Sequence, residues 1–299
     1  MFAASRRRGG AVTGRRKPDW VKVPTLGNAG AGRVRRVLRR HGLNTVCNDA
    51  LCPNRGHCYQ RGTATFLLLG SICTRGCRYC AIESGNPSPP PPDPDEPRRV
   101  AEAAADLGLS YVVLTSVTRD DLEDGGAGQF AATVKAIFEQ LPRALVEVLV
   151  PDFDGSRKSL RTVAGCRPTV FNHNLETVER LFSRVRPGAS FDRSLRVLRD
   201  FGAMAPKVPL KSGLMLGLGE ERAEVIDAAG KLRNAGVSIL TLGQYLQPSK
   251  NHWPVSRYLR PEEFESLRME ALDMGFSTVA AGPLVRSSYH ADLSFMESR

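Results

Sequence analysis

Two groups of three cysteines are the residues of this chain most suited to chemistry. Six of its seven cysteines lie between positions 47 and 80. One group has C-x4-C-x5-C spacing and the other has C-x3-C-x2-C spacing: Cys47, Cys52 and Cys58, then Cys73, Cys77 and Cys80. A closed zinc site takes four ligands, whereas three thiolates on a tight loop suit a cuboidal iron–sulfur cluster that leaves one iron for a non-cysteine ligand. The spacing therefore predicts two metal centres, with reactivity at an open iron.

Disulfides and zinc sites are the structural alternatives for these thiols. Disulfides are disfavoured because the chain, at 299 residues, can bury its own core, has an odd number of cysteines and shows no secretory apolar region near Met1. Zinc is the stronger rival. Neither triplet has an evident fourth ligand nearby, and His57, which adjoins Cys58, is poorly placed to bind the same ion.

The second triplet resembles the cluster loop of the radical S-adenosylmethionine (SAM) superfamily. It reads Cys73-Thr74-Arg75-Gly76-Cys77-Arg78-Tyr79-Cys80. The resemblance implies that its cysteines bind a [4Fe-4S] cluster and that the amino and carboxylate groups of SAM chelate the fourth iron. An electron from the cluster then cleaves SAM to a 5′-deoxyadenosyl radical, which can abstract hydrogen from an unactivated C–H bond. The resemblance also implies that Tyr79 lies against the adenine.

The rest of the chain narrows this resemblance to the lipoyl synthases. The first triplet has Asn48-Asp49 where that family more often has two acidic residues. The matching motifs are Thr45 to Cys47, Cys52 to Asn54, Ala64 to Phe66, Val117 to Asp121 with Gly125-Gly126, Pro151 to Phe153, Asn172 to Asn174 with Glu176 to Val178, Met215 to Glu220, Gln244 to Pro248, and Gly282 to Tyr289. Matches extend from about Lys17 to Tyr289.

The resemblance implies an activity. Lipoyl synthases insert two sulfur atoms at carbons 6 and 8 of an octanoyl chain that is amide-linked to a lysine of a carrier protein. The cluster on the second triplet cleaves SAM, and the cluster on the first triplet donates sulfur and is dismantled. A serine of the final Arg-Ser-Ser-Tyr motif binds the fourth iron of that auxiliary cluster. We assign this role to Ser287, with Ser288 as the less favoured candidate.

The resemblance also implies partners for the reaction. The substrate is presented on an octanoylated lipoyl carrier, either the E2 component of a 2-oxoacid dehydrogenase or the glycine cleavage H protein. The electron comes from a donor such as flavodoxin or ferredoxin.

Strand and helix patterns alternate from residue 64 onward, which predicts repeated βα units and a parallel sheet. Apolar, β-rich runs occupy residues 64–69, 111–117, 145–150, 169–172, 208–216 and 237–243, with a further strand-like run at 277–281. Helical spacing is clearest at Phe130, Val134, Ile137 and Leu141 and at Val225, Ala228, Ala229 and Leu232, and Gly108 and Gly236 are placed to end helices. We predict an α/β fold, a partial (β/α)6 TIM-like barrel of the radical SAM type.

The barrel has predicted extensions at both ends. Residues 1–63 form a basic arm and the auxiliary-cluster extension, residues 64–283 form the barrel, and residues 284–299 carry the serine motif. Parallel barrels react at the C-terminal ends of their strands, and the motifs follow the predicted strands accordingly. By resemblance, the turn Gly217-Leu218-Gly219 approaches SAM closely. The predicted SAM contacts are Tyr79, Thr115, Ser116, Asn172, Lys211 and Glu220.

The net charge of +11 is concentrated near the N-terminus. The first 40 residues contain 12 Lys or Arg and one acid, Asp19, and the remaining charges balance. This composition predicts either a solvated, partly disordered tail or a segment that steers an acidic carrier protein. A nucleic-acid partner is not predicted because it would need a basic face on the folded body.

The first 18 residues resemble a transit peptide in being Arg-rich and free of acids, but they are short and Gly-rich with little helical amphipathicity. We therefore predict a bacterial cytoplasmic protein rather than an organellar one. No apolar run approaches the roughly 20 residues that span a bilayer, so no membrane span is predicted.

Two rival functions share part of this pattern. A radical SAM methylthiotransferase acting on tRNA would also use two clusters, but it should have a larger N-terminal cluster domain and a C-terminal RNA-binding module. A zinc-dependent nucleic-acid-binding protein would need a distributed basic face and four-ligand sites.

Overall fold

The computed structural model describes residues 17–22, 29–85 and 88–298. The alternation of strands and helices predicted from residue 64 onward is confirmed. The strands are β1 (Asn44–Thr45), β2 (Thr65–Leu68), β3 (Ile72–Cys73), β4 (Glu83–Ser84), β5 (Tyr111–Ser116), β6 (Leu145–Leu149), β7 (Val170–Asn172), β8 (Leu210–Leu216), β9 (Val237–Gln244) and β10 (Thr278–Gly282).

Helices connect these strands and flank them. They are α1 (Ala29–Arg40), α2 (Val46–Asp49), α3 (Arg55–Gln60), α4 (Glu96–Leu107), α5 (Ala127–Gln140), α6 (Arg157–Gly165), α7 (Glu179–Val185), α8 (Phe191–Met204), α9 (Arg222–Asn234), α10 (Pro261–Asp273) and α11 (Ala291–Glu297). Short 3₁₀ helices occur at Asp19–Val21 and Phe153–Gly155. None of the described helices is both long enough and apolar enough to cross a membrane.

The sheet has the order β1-β2-β5-β6-β7-β8-β9-β10, and β3 pairs with β4 separately. Neighbouring strands from β2 to β10 are parallel, whereas β1 is antiparallel to β2. The predicted α/β partial barrel is therefore confirmed. The run predicted at 277–281 forms β10, a seventh parallel strand that pairs with β9 and carries the chain into the C-terminal segment.

Burial explains why these segments form these elements. All four residues of β2 are buried, as expected for a parallel strand covered on both faces. On α5, the predicted core residues Phe130, Val134 and Ile137 are fully buried. Leu141 is the C-cap residue of that helix and is only partly buried. Gly108 ends α4 with a φ of 68°, a left-handed conformation that costs glycine little.

Much of the predicted basic arm, residues 1–16 and 23–28, lies outside the described residues. Helix α1 contains the last arginines of this arm. Arg33 Nη2 donates to the carbonyl oxygen of Asp106 at 2.7 Å, and the Arg40 guanidinium pairs with the Asp106 carboxylate. These contacts hold α1 against the end of α4.

Candidate active site

One cavity of about 520 Å³ at the C-terminal ends of the barrel strands contains both cysteine triplets. The six predicted cluster ligands line it and carry free thiols: Cys47, Cys52, Cys58, Cys73, Cys77 and Cys80. Ser287 and Ser288 line the same cavity. Groups from the N-terminal extension, the barrel and the C-terminal segment are therefore gathered around one space.

The second triplet lies on the loop after β2, where backbone groups from other elements position it. The sulfur of Cys73 accepts hydrogen bonds from the amide groups of Arg75, at 3.4 Å, and Thr118, at 3.3 Å. The carbonyl oxygen of Arg78 accepts a hydrogen bond from the amide of Trp253 at 2.8 Å. The loop is thus held by the segment after β5 and by the segment after β9.

An ion-pair network around the buried carboxylate of Asp152 fixes the same loop. Arg75 donates to both carboxylate oxygens of Asp120 at 2.7 Å and lies 2.8 Å from Asp152 Oδ1. Arg193 Nε binds the other oxygen of Asp152 at 2.9 Å. Burial opposes ionisation of Asp152, but the hydrogen bond and charge of Arg75 outweigh it and hold the pKa of Asp152 well below its usual range. Two charged partners thus compensate a fully buried carboxylate.

The first triplet lies on α2, α3 and the turn between them. The hydroxyl of Thr45 caps α2 and lies 2.9 Å from the hydroxyl of Tyr59 on α3. The amide of Cys52 donates to the carbonyl oxygen of Cys47 at 3.2 Å, which closes the turn. These contacts bring Cys58 to the same side as the other two thiols.

The C-terminal segment packs directly on this triplet. Asn54 Nδ2 donates to the carbonyl oxygen of Leu284 at 2.6 Å. The hydroxyl of Tyr289 lies 3.3 Å from Nδ1 of His57. The serine motif is therefore bound to the loop that carries the auxiliary thiols.

Two strand glycines make room for that segment in the barrel mouth. A Cβ atom on Gly243 would lie 2.1 Å from the carbonyl oxygen of Val285. A Cβ atom on Gly213 would lie 3.1 Å from both Ser287 Oγ and Asn174 Oδ1. Ser287 Oγ donates to Asn174 Oδ1 at 2.8 Å. The absence of side chains at both positions lets Ser287 reach the strand ends.

The thiols suit a cluster chemically. Burial raises the pKa of Cys47 to about 11 and the pKa values of Cys58 and Cys80 to about 12, so each is protonated until a metal displaces the proton. Among the described residues, no three His, Cys, Asp or Glu side chains are arranged to hold a single metal ion. A cuboidal cluster makes a different demand, because its three cysteines bind three separate iron atoms.

Comparison with known proteins identifies the family. The sequence model of the radical SAM superfamily matches residues 67–239. A lipoyl synthase of Chloroflexus aurantiacus is 51% identical over 284 residues, which cover 95% of this chain and 92% of that protein. The chain belongs to the lipoyl synthase family. A lipoyl synthase of Pasteurella multocida is 52% identical over 280 residues, covering 93% of this chain and 87% of that protein.

Membership of the lipoyl synthase family makes the chain a sulfurtransferase-type enzyme that uses SAM and a [4Fe-4S] cluster. It also decides against the two rival functions, the tRNA methylthiotransferase and the zinc-dependent nucleic-acid-binding protein.

Solved structures show the same fold at low sequence identity. Methylornithine synthase matches with a TM-score of 0.55 and 14% identity, covering 72% of this chain and 70% of its own. Streptococcus suis SuiB matches with a TM-score of 0.53 and 10% identity, and the match covers 72% of this chain and 48% of SuiB.

Three of the predicted SAM contacts line the cavity of this lipoyl synthase family member: Tyr79, Thr115 and Ser116. Thr115 Oγ1 donates to the carbonyl oxygen of Leu149 at 2.9 Å. The buried hydroxyl of Ser116 has no hydrogen-bond partner among the described residues, so it is available to a bound molecule.

Two charged residues beside Tyr79, Glu176 and Arg186, were not predicted to contact SAM. Burial raises the pKa of Glu176, and the charge of Arg186 opposes that rise. Arg186 Nη1 donates to the carbonyl oxygen of Asn174 at 3.0 Å, while its buried Nε has no partner among the described residues. Arg186 is therefore placed to hold an anionic group such as a carboxylate. Glu176 lies in a matched motif, but no sequence signal marked Arg186.

Asn172 and Lys211, which are also predicted SAM contacts, are not among the residues that line the cavity. The ammonium group of Lys211 lies 3.0 Å from both carboxylate oxygens of Glu147, and both side chains are almost fully buried. Asn172 Nδ2 donates to the same carboxylate at 2.9 Å, and so does the hydroxyl of Tyr111. Lys211 and the amide nitrogen of Asn172 are therefore bound to Glu147 inside the barrel, whereas the buried Oδ1 of Asn172 has no hydrogen-bond partner among the described residues. The role of Asn172 and Lys211 as SAM contacts stays a prediction.

The carboxylate of Glu220, another predicted SAM contact, is engaged by the backbone of its own turn. Its carboxylate accepts the amide hydrogens of Gly217, at 2.6 Å, Leu218, at 2.9 Å, and Gly219, at 3.0 Å. A Cβ atom on Gly217 would lie 2.2 Å from Gln244 Nε2, so this turn approaches the protein itself. Glu220 closes its own glycine turn and does not line the cavity.

Proposed function

We propose that each triplet binds a [4Fe-4S] cluster and that the first, with Ser287 as its fourth ligand, is the auxiliary cluster from which sulfur is taken. The observation that carries this proposal is the single cavity lined by both triplets and Ser287. When bound, the cluster on the second triplet would supply the electron that cleaves SAM, and the auxiliary cluster would supply sulfur for carbons 6 and 8 of an octanoyl-lysine chain. Radical chemistry suits this substrate because no protein base ionises such C–H bonds.

The chain itself contributes placement. Arg75, held by Asp120 and Asp152, fixes the loop that binds SAM. Asn54, bonded to the carbonyl oxygen of Leu284, fixes the auxiliary loop against the C-terminal segment. The octanoyl chain would lie between the two loops, so that the radical and the sulfur reach the same carbon, and such orientation can provide a large part of the rate enhancement.

Ser287 is the favoured fourth ligand because its side chain is already directed into the barrel mouth by the bond to Asn174. A hydroxyl is a weaker match to iron than a thiolate, so it can leave when sulfur is transferred. Ser288 lines the same cavity and is the alternative.

The substrate is carried by an octanoylated lipoyl carrier, as lipoyl synthase activity requires. We further propose the E2 component or the glycine cleavage H protein as that carrier, flavodoxin or ferredoxin as the electron donor, and a bacterial cytoplasmic location. We also propose that the chain divides into residues 1–63, 64–283 and 284–299. We propose that the protein has no nucleic-acid or membrane partner.

Metal analysis tests the two-cluster proposal. Protein prepared anaerobically should bind about eight irons and eight sulfides, as two cubane clusters require. Replacing Cys47, Cys52 and Cys58 together by alanine should halve both contents and abolish lipoyl formation from an octanoyl-lysine peptide, while SAM cleavage persists. Iron and sulfide are measured by chemical assay.

Cys166→Ala is the matched control. This seventh cysteine donates to the carbonyl oxygen of Val163 at the end of α6 and does not line the cavity, so its loss should leave iron content unchanged. Stoichiometric zinc in place of iron, in wild-type protein made with iron available, would refute the two-cluster proposal.

A further inference from the structure

The two halves of the second-triplet loop are held in different ways. The sulfur of Cys73 accepts amide hydrogen bonds from its own loop and from the segment after β5. The half that ends at Cys80 makes contacts with more distant elements. The amide of Arg78 donates to the carbonyl oxygen of Val185, at the end of α7, at 2.9 Å. A further contact comes from a side chain, because Nε2 of His252 lies 3.0 Å from the carbonyl oxygen of Cys80.

The hydrogen bond between His252 and Cys80 has a defined direction. A carbonyl oxygen can only accept, so Nε2 of His252 carries the hydrogen and donates it. The other ring nitrogen, Nδ1, lies 2.8 Å from the hydroxyl of Ser249. That hydroxyl oxygen accepts the amide hydrogen of Asn251 at 3.3 Å, which leaves its own hydrogen for Nδ1. The neutral ring is therefore held in the tautomer that donates to Cys80.

The segment that carries His252 is itself anchored to the barrel. Gln247, which lines the cavity, donates from Nε2 to the carbonyl oxygen of His252 at 2.9 Å. The indole of Trp253 donates to the carbonyl oxygen of Leu218 at 2.9 Å, and the hydroxyl of Tyr245 donates to the carbonyl oxygen of Trp253 at 2.7 Å. A side chain on a backbone that is fixed in this way can hold its hydrogen-bond partner in place.

We propose that His252 is a positioning residue for the cluster of the second triplet, and that it acts through the carbonyl oxygen of Cys80. The inference rests on the proposed binding of a [4Fe-4S] cluster by that triplet. The three thiolates of such a site bind three separate irons, so displacement of Cys80 would weaken one of only three iron–thiolate bonds. Groups that orient a metal ligand through a hydrogen bond typically contribute about 10–100-fold to metal affinity or activity.

Three substitutions on this segment test the role of His252. The background is the full chain with the first triplet replaced by alanine, so that only the second triplet binds iron. His252→Leu keeps a side chain of similar size but has no donor. His252→Gln restores an N–H group near the position of Nε2, and its oxygen can accept from Ser249. Lys250→Leu is the control, because Lys250 is exposed on the same segment and does not line the cavity.

The rate of iron loss to an excess of an iron chelator is followed by absorbance under anaerobic conditions, and thermal unfolding shows that each variant is folded. His252→Leu should lose iron about tenfold faster than the background protein. His252→Gln should return the rate nearly to that of the background, and Lys250→Leu should leave it unchanged.

Iron loss from His252→Leu at the background rate would overturn the positioning role. Equal acceleration in His252→Leu and His252→Gln would also overturn it, because the donated hydrogen bond would then not be the cause. Failure of the background protein to bind any iron would instead refute the proposed function, and the inference would fall with it.

Discussion

Replacing Cys77 by alanine is expected to abolish formation of 5′-deoxyadenosine from SAM. Cys77 lies in the middle of the second triplet and lines the cavity beside Tyr79. Loss of an outer-shell partner typically costs about 10–100-fold in metal affinity or activity, and loss of a direct ligand should cost more. The product is quantified by chromatography after anaerobic incubation with a chemical reductant.

Cys52→Ala is the matched control, because it removes a thiol of the first triplet instead of the second. That variant should still cleave SAM but should form no lipoyl product. If Cys77→Ala cleaved SAM at the wild-type rate while Cys52→Ala did not, the two clusters would have been assigned to the wrong triplets.

Substitutions at Ser287 should separate sulfur insertion from SAM cleavage. Ser287→Cys is expected to assemble both clusters yet form little lipoyl product, because a thiolate binds iron more firmly than a hydroxyl does. Ser287→Ala should lose sulfur insertion by at least about tenfold, the equivalent of one lost charge-assisted contact, while retaining some SAM cleavage. Lipoyl-lysine and 5′-deoxyadenosine are measured in the same reaction.

The same pair of changes at Ser288 is the control. Ser288→Ala and Ser288→Cys should form lipoyl product at near wild-type levels if Ser287 is the ligand. Normal product from both Ser287 variants would transfer the role to Ser288. Activity in all four variants would leave the serine motif with a purely structural role.

The barrel could be predicted because its signals are local. Each parallel strand is a short apolar run, β2 is buried on both faces, α5 has a regular apolar stripe, and α4 ends at a glycine. The cysteine triplets could be predicted for the same reason, since the spacing of each lies within one loop. What spacing could not reveal is that both triplets face one cavity, which depends on how the N-terminal extension packs on the barrel.

The surroundings of Asn172, Lys211 and Arg186 show the limit of that reasoning. Asn172 ends β7 and Lys211 lies near the start of β8, and Glu147, two strands away from Lys211, binds both of them inside the barrel. Arg186 was missed because it gains its position through the carbonyl oxygens of Asn174 and Leu175. Such pairings join residues far apart in the sequence, and no local pattern encodes them.

The origin of the inserted sulfur is tested most directly by isotopic labelling. Protein whose clusters are built with sulfur-34 sulfide is allowed a single turnover with excess octanoyl-lysine peptide in unlabelled buffer, and the lipoyl product is analysed by mass spectrometry. We predict that both sulfur atoms of the product are heavy, and that protein lacking Cys47, Cys52 and Cys58 forms no product under the same conditions. Unlabelled sulfur in the product, or product formed without those three thiols, would contradict the assignment of the first triplet as the sulfur source.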